Sequence, residues 1–549
     1  MGLGKMAGKK REAKSDKKRK KKTSKGKKSS EEKVVIKTKK LKREEKEVLD
    51  KYGINVDKVF GEVRVIEDPD EFVPIYKLIT PQVEKGTGVL IDQIKETMIS
   101  EMKLSVSELL DPKKISEIKK KFFLKSLKML GEQIPNLPID KKQFLAGSMV
   151  HEMLGLGRIE MLIGDGNLEE IVVNNSEEPC WVYHKKYGWL KTNIKMETED
   201  RIGNYASSIG RRIGKQISTL NPLLDAHLIS GDRVNATLFP ISTKGNTITI
   251  RLFRRNPWTI TDLIANKTVD AEDAALIWLA MQYEMNILIS GGTGSGKTSF
   301  MNAVIPFVPP NQRIISIEDT REIVLPDFLH WVPLTTREPN PEGKGKVDML
   351  SLLVNSLRMR PDRIIVGEIR REKQAQVLFE AMHTGHSVYA TLHADTADET
   401  LRRLINPPIN VPETLVEAID LIVVMYRDRR TGKRRVYEIA EFSQMENKMF
   451  VNIISRWNPK KDKSEKIGDF KFLKKIKMFA DLSDSEIKKD LKNKETILKW
   501  IRKNKINTVN GVGKVVAETY NDSKKVMEIV KKKKKPEAIV PKEWLKVVS

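Results

Sequence analysis

Cysteine is almost missing from this chain: Cys180 is the single one among 549 residues. That excludes a disulfide framework and a four-cysteine metal site, and it points to a reducing compartment. Long apolar runs are missing too. No stretch nears the roughly 18 uninterrupted apolar residues of a spanning helix, and the longest candidate, 274–281, is closed by Glu284 and reads as a core helix. Near Met1 there is no apolar core followed by a small-residue cleavage site, so no secretory signal is expected. Met6 stands where a myristoylation signal would want Ser or Thr. The reading is a soluble protein able to work at a membrane.

What is abundant is positive charge, a formal net of +26. Residues 1–45 hold 20 Lys/Arg against 6 Asp/Glu, a net of +14, and residues 458–549 hold 26 against 13, a net of +13. The middle of the chain is therefore near neutral. A DNA translocase would be expected to carry basic residues along its central channel, so nucleic acid is not the expected partner. The basic tail reads as a solvated, disordered segment, or as one that contacts acidic phospholipid headgroups or an acidic protein.

Composition divides the chain into five segments. Residues 1–45 are a Lys-rich, low-complexity tail. Residues 46–139 read as mostly helical, with Val89, Leu90, Ile91, Ile94 and Met98 at helical spacing, and Phe122, Phe123, Leu124, Leu127 and Leu130 likewise. Residues 140–255 read as an α+β domain: short strands around Ile171, Trp181 and Trp189 and a hairpin of 231–238 with 247–251. Asn256-Pro257 is a plausible hinge. Residues 256–457 alternate strand with helix, with strands expected at 286–290, 313–318, 363–369, 387–393, 420–426 and 434–442. Near-continuous apolar runs such as Ile364-Ile365-Val366 suit central strands covered on both faces, so the expected fold class is α/β. Residues 458–549 read as a Lys-rich helical extension. There is no internal repeat.

The sharpest motif is Gly291-Gly292-Thr293-Gly294-Ser295-Gly296-Lys297-Thr298-Ser299, after an apolar strand and before a helix. Glycines let successive backbone amides turn inward as a phosphate nest, and the following helix adds its positive N-terminus. In such a P-loop Lys297 reaches the β/γ oxygens and Thr298 ligates Mg²⁺. Hydrolysis also needs acids. Glu318 closes one predicted strand and Glu368 follows another, and acids at carboxyl ends of parallel strands point into the ligand crevice; either alone could be a loop-surface carboxylate. His386 and His393 flank a strand expected beside the nucleotide, as terminal-phosphate sensors or as ordinary strand-end imidazoles. A zinc reading of His383, His386 and His393 is disfavoured, because no carboxylate-flanked helical histidine pair is present. Arg233, Arg251 and Arg358 are candidates for neutralising phosphate charge, with surface ion pairing the alternative.

Residues 140–457 resemble the type II/type IV secretion ATPase superfamily. Besides the P-loop, residues 316–322 (SIEDTRE) are similar to its aspartate box, residues 357–370 (LRMRPDRIIVGEIR) to its atypical Walker B, and residues 384–393 (TGHSVYATLH) to its histidine box. Within that superfamily, residues 317–322, His330-Trp331-Val332-Pro333, Thr336-Arg337-Glu338-Pro339-Asn340 and 380–395 are most similar to the archaeal archaellum motor ATPase, with archaeal pilus-assembly ATPases similar over much of the same span. The resemblance implies a RecA-like ATPase domain behind a PAS-like N-terminal domain, using ATP and Mg²⁺. It makes Glu318 the base or orienter of the attacking water and Glu368 the Walker B acid, with Thr298 and Glu368 at the metal. His386 and His393 become sensors, Arg358 a charge stabiliser, and Arg233 with Arg251 fingers from the N-terminal domain. It also implies a homo-hexamer at the cytoplasmic face of the membrane, acting on a polytopic platform protein with accessory motor proteins. The four-cysteine zinc subdomain of many bacterial members has no counterpart here.

Overall fold

A computed structural model describes residues 47–81, 85–101, 112–228, 231–253, 257–337, 339, 343–445, 448–468 and 471–545. The tail 1–45 and Asn256 of the expected hinge lie outside these. Two sheets organise the rest. The first comprises β1 (Glu47–Val56), β2 (Val59–Glu67), β3 (Ile75–Ile79), β4 (Leu168–Val173), β5 (Pro179–His184), β6 (Gly188–Lys195), β7 (Leu223–His227), β8 (Arg233–Thr237) and β9 (Thr247–Arg251). Their order is β1-β2-β3-β6-β5-β4-β9-β8-β7, antiparallel except where β3 meets β6. Strands such as β8 bury alternate residues, so one face packs and the other meets solvent.

The expectation that 46–139 is mostly helical is corrected here. Helices Lys85–Glu101 and Pro112–Gln133 stand where the apolar periodicity pointed, but three strands precede them and extend the same sheet. Charged residues such as Asp50, Lys51 and Glu62 mask the alternation of this hairpin, because β1 is an edge strand with solvent on much of its surface. Tyr52 and Tyr76 both donate to Asp165 Oδ2 at 2.7 Å, tying β1 and β3 to the turn before β4.

The second sheet comprises β10 (Ile287–Gly291), β11 (Ile314–Glu318), β12 (Trp331–Thr335), β13 (Arg363–Val366), β14 (Ser387–Leu392), β15 (Leu421–Arg427), β16 (Arg434–Met445), β17 (Lys448–Asn458) and β18 (Lys463–Lys466). Their order is β12-β11-β13-β14-β10-β15-β16-β17-β18. From β12 to β15 the pairing is parallel, and from β15 onward antiparallel. Every residue of β10, β11, β13 and β14 is buried, as expected for strands covered on both faces. β12, not foreseen as a strand, tolerates Pro333 because it lies at the sheet edge.

A second correction concerns 458–549. Strand β18 continues the sheet, and the helices Asp484–Lys503 and Val509–Asn521 put Ile497, Leu498, Ile501, Val512 and Val515 into the core that holds Trp278, Ile287 and Phe300. Trp278 Nε1 donates to the Tyr520 hydroxyl at 2.8 Å, and that hydroxyl donates to the Phe307 carbonyl at 2.6 Å. Apart from the buried Lys494, the lysines cover the outer face of these helices and hide the apolar stripe that makes them part of the domain. Leu498→Ala is therefore expected to cost about 2–5 kcal/mol, measured as a lower denaturant midpoint; an unchanged midpoint would make the segment peripheral.

Candidate active site

β10 delivers the glycine-rich loop. Gly291, Gly294 and Gly296 have φ of 149°, 71° and 98°, a region that disfavours side chains. At Gly292 the barrier is contact instead, since a Cβ would stand 2.5 Å from Asp395 Oδ1. The buried Ser295 hydroxyl donates to the Gly292 carbonyl at 2.8 Å and staples the turn. Lys297 opens the helix Lys297–Val304, with Thr298 and Ser299 half-buried in its first turn. The Lys297 ammonium donates to the carbonyls of Gly291 (2.8 Å) and Gly292 (3.2 Å), so it lies over the loop. Burial lowers its pKa, opposed by the nearby charges of Glu368 and Asp395.

The parallel strands bring their carboxyl ends to one edge, and the acids stand there. Glu318, at the end of β11, is 3% exposed. Its Oε1 accepts from the amides of Glu322 (2.9 Å) and Ile323 (3.1 Å), while Oε2 is enclosed without a partner. Burial pushes this carboxyl up to about 7. Gly367 leaves room beside it, since a Cβ there would stand 3.6 Å from Glu318 Cγ. Glu368 Oε2 accepts from Arg370 Nε (2.9 Å) and Nη2 (2.7 Å), and Arg370 Nη1 donates to Asp319 Oδ2 at 2.7 Å. One guanidinium thus fixes two carboxylates.

The two histidines part company. His393 follows β14 at the loop edge, its Nε2 3.3 Å from the Thr293 hydroxyl, and burial and then Lys297 hold its pKa below the usual value. Both effects favour the neutral imidazole. His386 precedes β14, and the structure does not bring it to the loop. Its Nδ1 lies 3.2 Å from both the Ala381 carbonyl and the Thr384 hydroxyl. The six-residue strand between the histidines spans roughly 20 Å at about 3.3 Å per residue. Arg358 is corrected in the same way: it is exposed in the turn Leu357–Met359 before β13, at the amino ends of the strands.

The two arginines of the N-terminal sheet lie opposite each other on paired β8 and β9. Arg251 reaches across, with Nη2 3.7 Å from Oε1 of Glu322, whose amide holds Glu318. Arg233 is forked onto Asp225 of its own sheet at 3.1 and 2.6 Å, with Asp319 and Glu322 close enough to raise its pKa further. Four contributors escaped the sequence reading: Asp395 against Gly292, Arg370 on the two acids, and Arg427 and Arg434 beside the loop. The first two sit two positions beyond His393 and Glu368, which was the available signal.

Residues 215–467 match the family described as type II/IV secretion system protein. Over 348 residues the chain is 37% identical to the uncharacterized protein MJ0900 of Methanocaldococcus jannaschii, covering 62% of each. It is 33% identical over 303 residues to the type IV secretion system protein PtlH of Bordetella pertussis, covering 49% of this chain and 88% of that one. This chain belongs to the type II/IV secretion system family. The crystallised ATPase DotB of Legionella pneumophila, a further similar structure, superposes with a TM-score of 0.38 at 18% identity, over 68% of this chain and 95% of DotB. Within the family span 215–467 fall the loop 291–299, Glu318, Glu368, His393, Arg233 and Arg251. The strands β1–β6, and the C-terminal helices that complete the core, lie outside it.

Proposed function

We propose that this member of the family is an ATP-hydrolysing motor, and that Glu318 is the group that makes its nucleotide site hydrolytic. The observation that carries the reading is Glu318 itself: a buried carboxylate with one oxygen held by two amides and the other unpartnered. An oriented acid of raised pKa suits proton abstraction from water near neutral pH. Lys297 and the loop amides hold the phosphates, Glu368 is aimed by Arg370, and the neutral His393 can hydrogen-bond to a terminal phosphate through the site's edge. Arg251 stands ready to move from Glu322 toward the phosphates when the sheets close together.

Magnesium fits this donor set. Among the described residues no group of three His, Cys, Asp or Glu side chains could hold a metal by itself, so the ion would depend on phosphate oxygens, with Thr298 and Glu368 as the protein's contribution. Bound there it would neutralise charge on the phosphates.

The motor reading extends to a homo-hexamer at the cytoplasmic face of the membrane, pushing on a polytopic platform protein together with accessory motor proteins. No helix among the described residues is long and apolar enough to cross a membrane. The finer proposal is an archaellum motor that assembles and rotates its filament, supported by residues 317–322, 330–333 and 380–395. A second reading, pilus assembly or secretion, is favoured by the similarity to PtlH. The test is stimulation of phosphate release. Vesicles carrying acidic phospholipid and the platform protein are expected to raise turnover, and the kind of platform that does so separates archaellum from pilus. Stronger stimulation by DNA than by vesicles would overturn the motor reading in favour of a nucleic-acid translocase.

A further inference from the structure

The loop has a second flank with no part in the chemistry above. All the acids stand on one side of β10, on β11 and after β13, and His393 follows β14; β15 and β16 stand on the other side. The end of β15 and the start of β16 carry Arg427 and Arg434. Arg434 Nε donates to the Gly294 carbonyl at 3.0 Å, and its Cδ would lie 3.2 Å from a Cβ on Gly296. Arg427 Nη1 would lie 2.9 Å from a Cβ on Gly294, so both side chains lie close against these two glycines. Both guanidinium groups are thus packed on the part of the loop that opens the helix.

Their charges are not matched by acids. Among the described residues no carboxylate pairs with either one. Asp428, which follows Arg427, is turned away to the hairpin tip, where it accepts from the Arg430 amide (2.9 Å) and the Thr431 hydroxyl (2.6 Å). Arg427 instead donates from Nη2 to the Tyr183 hydroxyl at 3.4 Å, and its Nε is enclosed without a partner. Burial and the neighbouring Arg427 both lower the pKa of Arg434. Two adjacent half-buried cations with an unused donor cost electrostatic energy that an anion between them would relieve.

We propose that Arg427 and Arg434 grip the α-phosphate of the bound nucleotide. The argument rests on the nucleotide reading given above and adds its polarity. If the terminal phosphate faces Glu318, Glu368 and His393, the nucleoside end must point across β10 toward β15 and β16, where the only anion it presents is the α-phosphate. The fork of arginine suits two oxygens of one phosphate. Because ATP and ADP share that phosphate, this flank holds both, whereas the carboxylate flank distinguishes them. Tyr183 belongs to the N-terminal sheet and packs edge-on against Trp189 with ring centroids 5.3 Å apart. Through Arg427, the α-phosphate contact is therefore passed to that sheet.

Equilibrium binding of ATP and of ADP to the full chain tests this, with thermal melting to verify folding. Arg427→Ala and Arg434→Ala are each expected to weaken both nucleotides by the same factor, about tenfold or more. Arg427→Lys keeps the stem and the charge but loses the fork, and is expected to show a smaller loss, again equal for the two ligands. It serves as the measurement if either alanine variant melts early. A loss confined to ATP would assign the pair to the terminal phosphate and overturn the proposal, as would unchanged affinity for both. Failure of the wild-type chain to bind either nucleotide would instead overturn the reading on which the proposal rests.

Discussion

Lys297→Ala abolishes nucleotide-dependent phosphate release, with an expected loss of at least about 100-fold, the scale for removing a charged donor aimed at a reacting oxyanion. The reason is geometric. Lys297 is the first residue of its helix, its ammonium lies over the carbonyls of Gly291 and Gly292, and burial has already removed part of its hydration. A phosphate in the loop would replace two neutral acceptors by charged ones, an exchange stronger by the margin that separates charge-assisted from neutral hydrogen bonds. No other ammonium stands over the loop among the described residues. Nucleotide affinity is expected to fall along with turnover, and wild-type phosphate release by the variant would remove the loop from the reaction.

Glu318→Gln separates binding from hydrolysis. The substitution keeps size, keeps an oxygen for the amides of Glu322 and Ile323, and removes the ability to accept a proton. ATP affinity is expected within about twofold of wild type, while single-turnover hydrolysis falls by about 10²–10⁴, the range for a general base. Folding stability gives a second signature, with a definite sign. The folded carboxyl sits at about 7, above its ordinary 4.5. Its contribution to stability is therefore full below the ordinary value and is lost as pH rises through about 7. The glutamine variant lacks this loss, so its stability relative to wild type rises between about pH 4.5 and 7. A variant that hydrolyses ATP normally would transfer the base to another group, with Glu368 the nearest alternative.

Much of this site was legible in the chain because its residues fall in short motifs at strand ends. The loop 291–299, Glu318 and Glu368 are fixed by strand ends, and a parallel sheet has only one edge at which strand ends can meet a phosphate. The same rule explains the failures. His386 and Arg358 stand before their strands, so they fall at the opposite edge, a distinction that a motif read as a block does not make. Asp395, Arg427 and Arg434 escaped because their proximity to the loop comes from sheet order: β14 and β15 flank β10 although they follow it by about a hundred residues or more. In the fold, the strands from β10 to β16, apart from the edge strand β12, were visible as apolar runs. β1–β3 were not, and the C-terminal helices were read as an extension instead of a part of the core, because charged residues cover one face of each and dominate the composition, while the buried face is a sparse stripe. Tail residues 1–45, rich in lysine, lie outside what the structure describes.

The most direct measurement is single-turnover phosphate release from MgATP by the full-length wild-type chain, followed as a function of pH. With Glu318 as the base and its carboxyl held at about 7 by burial, the rate should rise tenfold per pH unit below that value and level off above it. An absence of phosphate release at every pH, or a rising limb centred near the ordinary glutamate value of 4.5, would contradict the account.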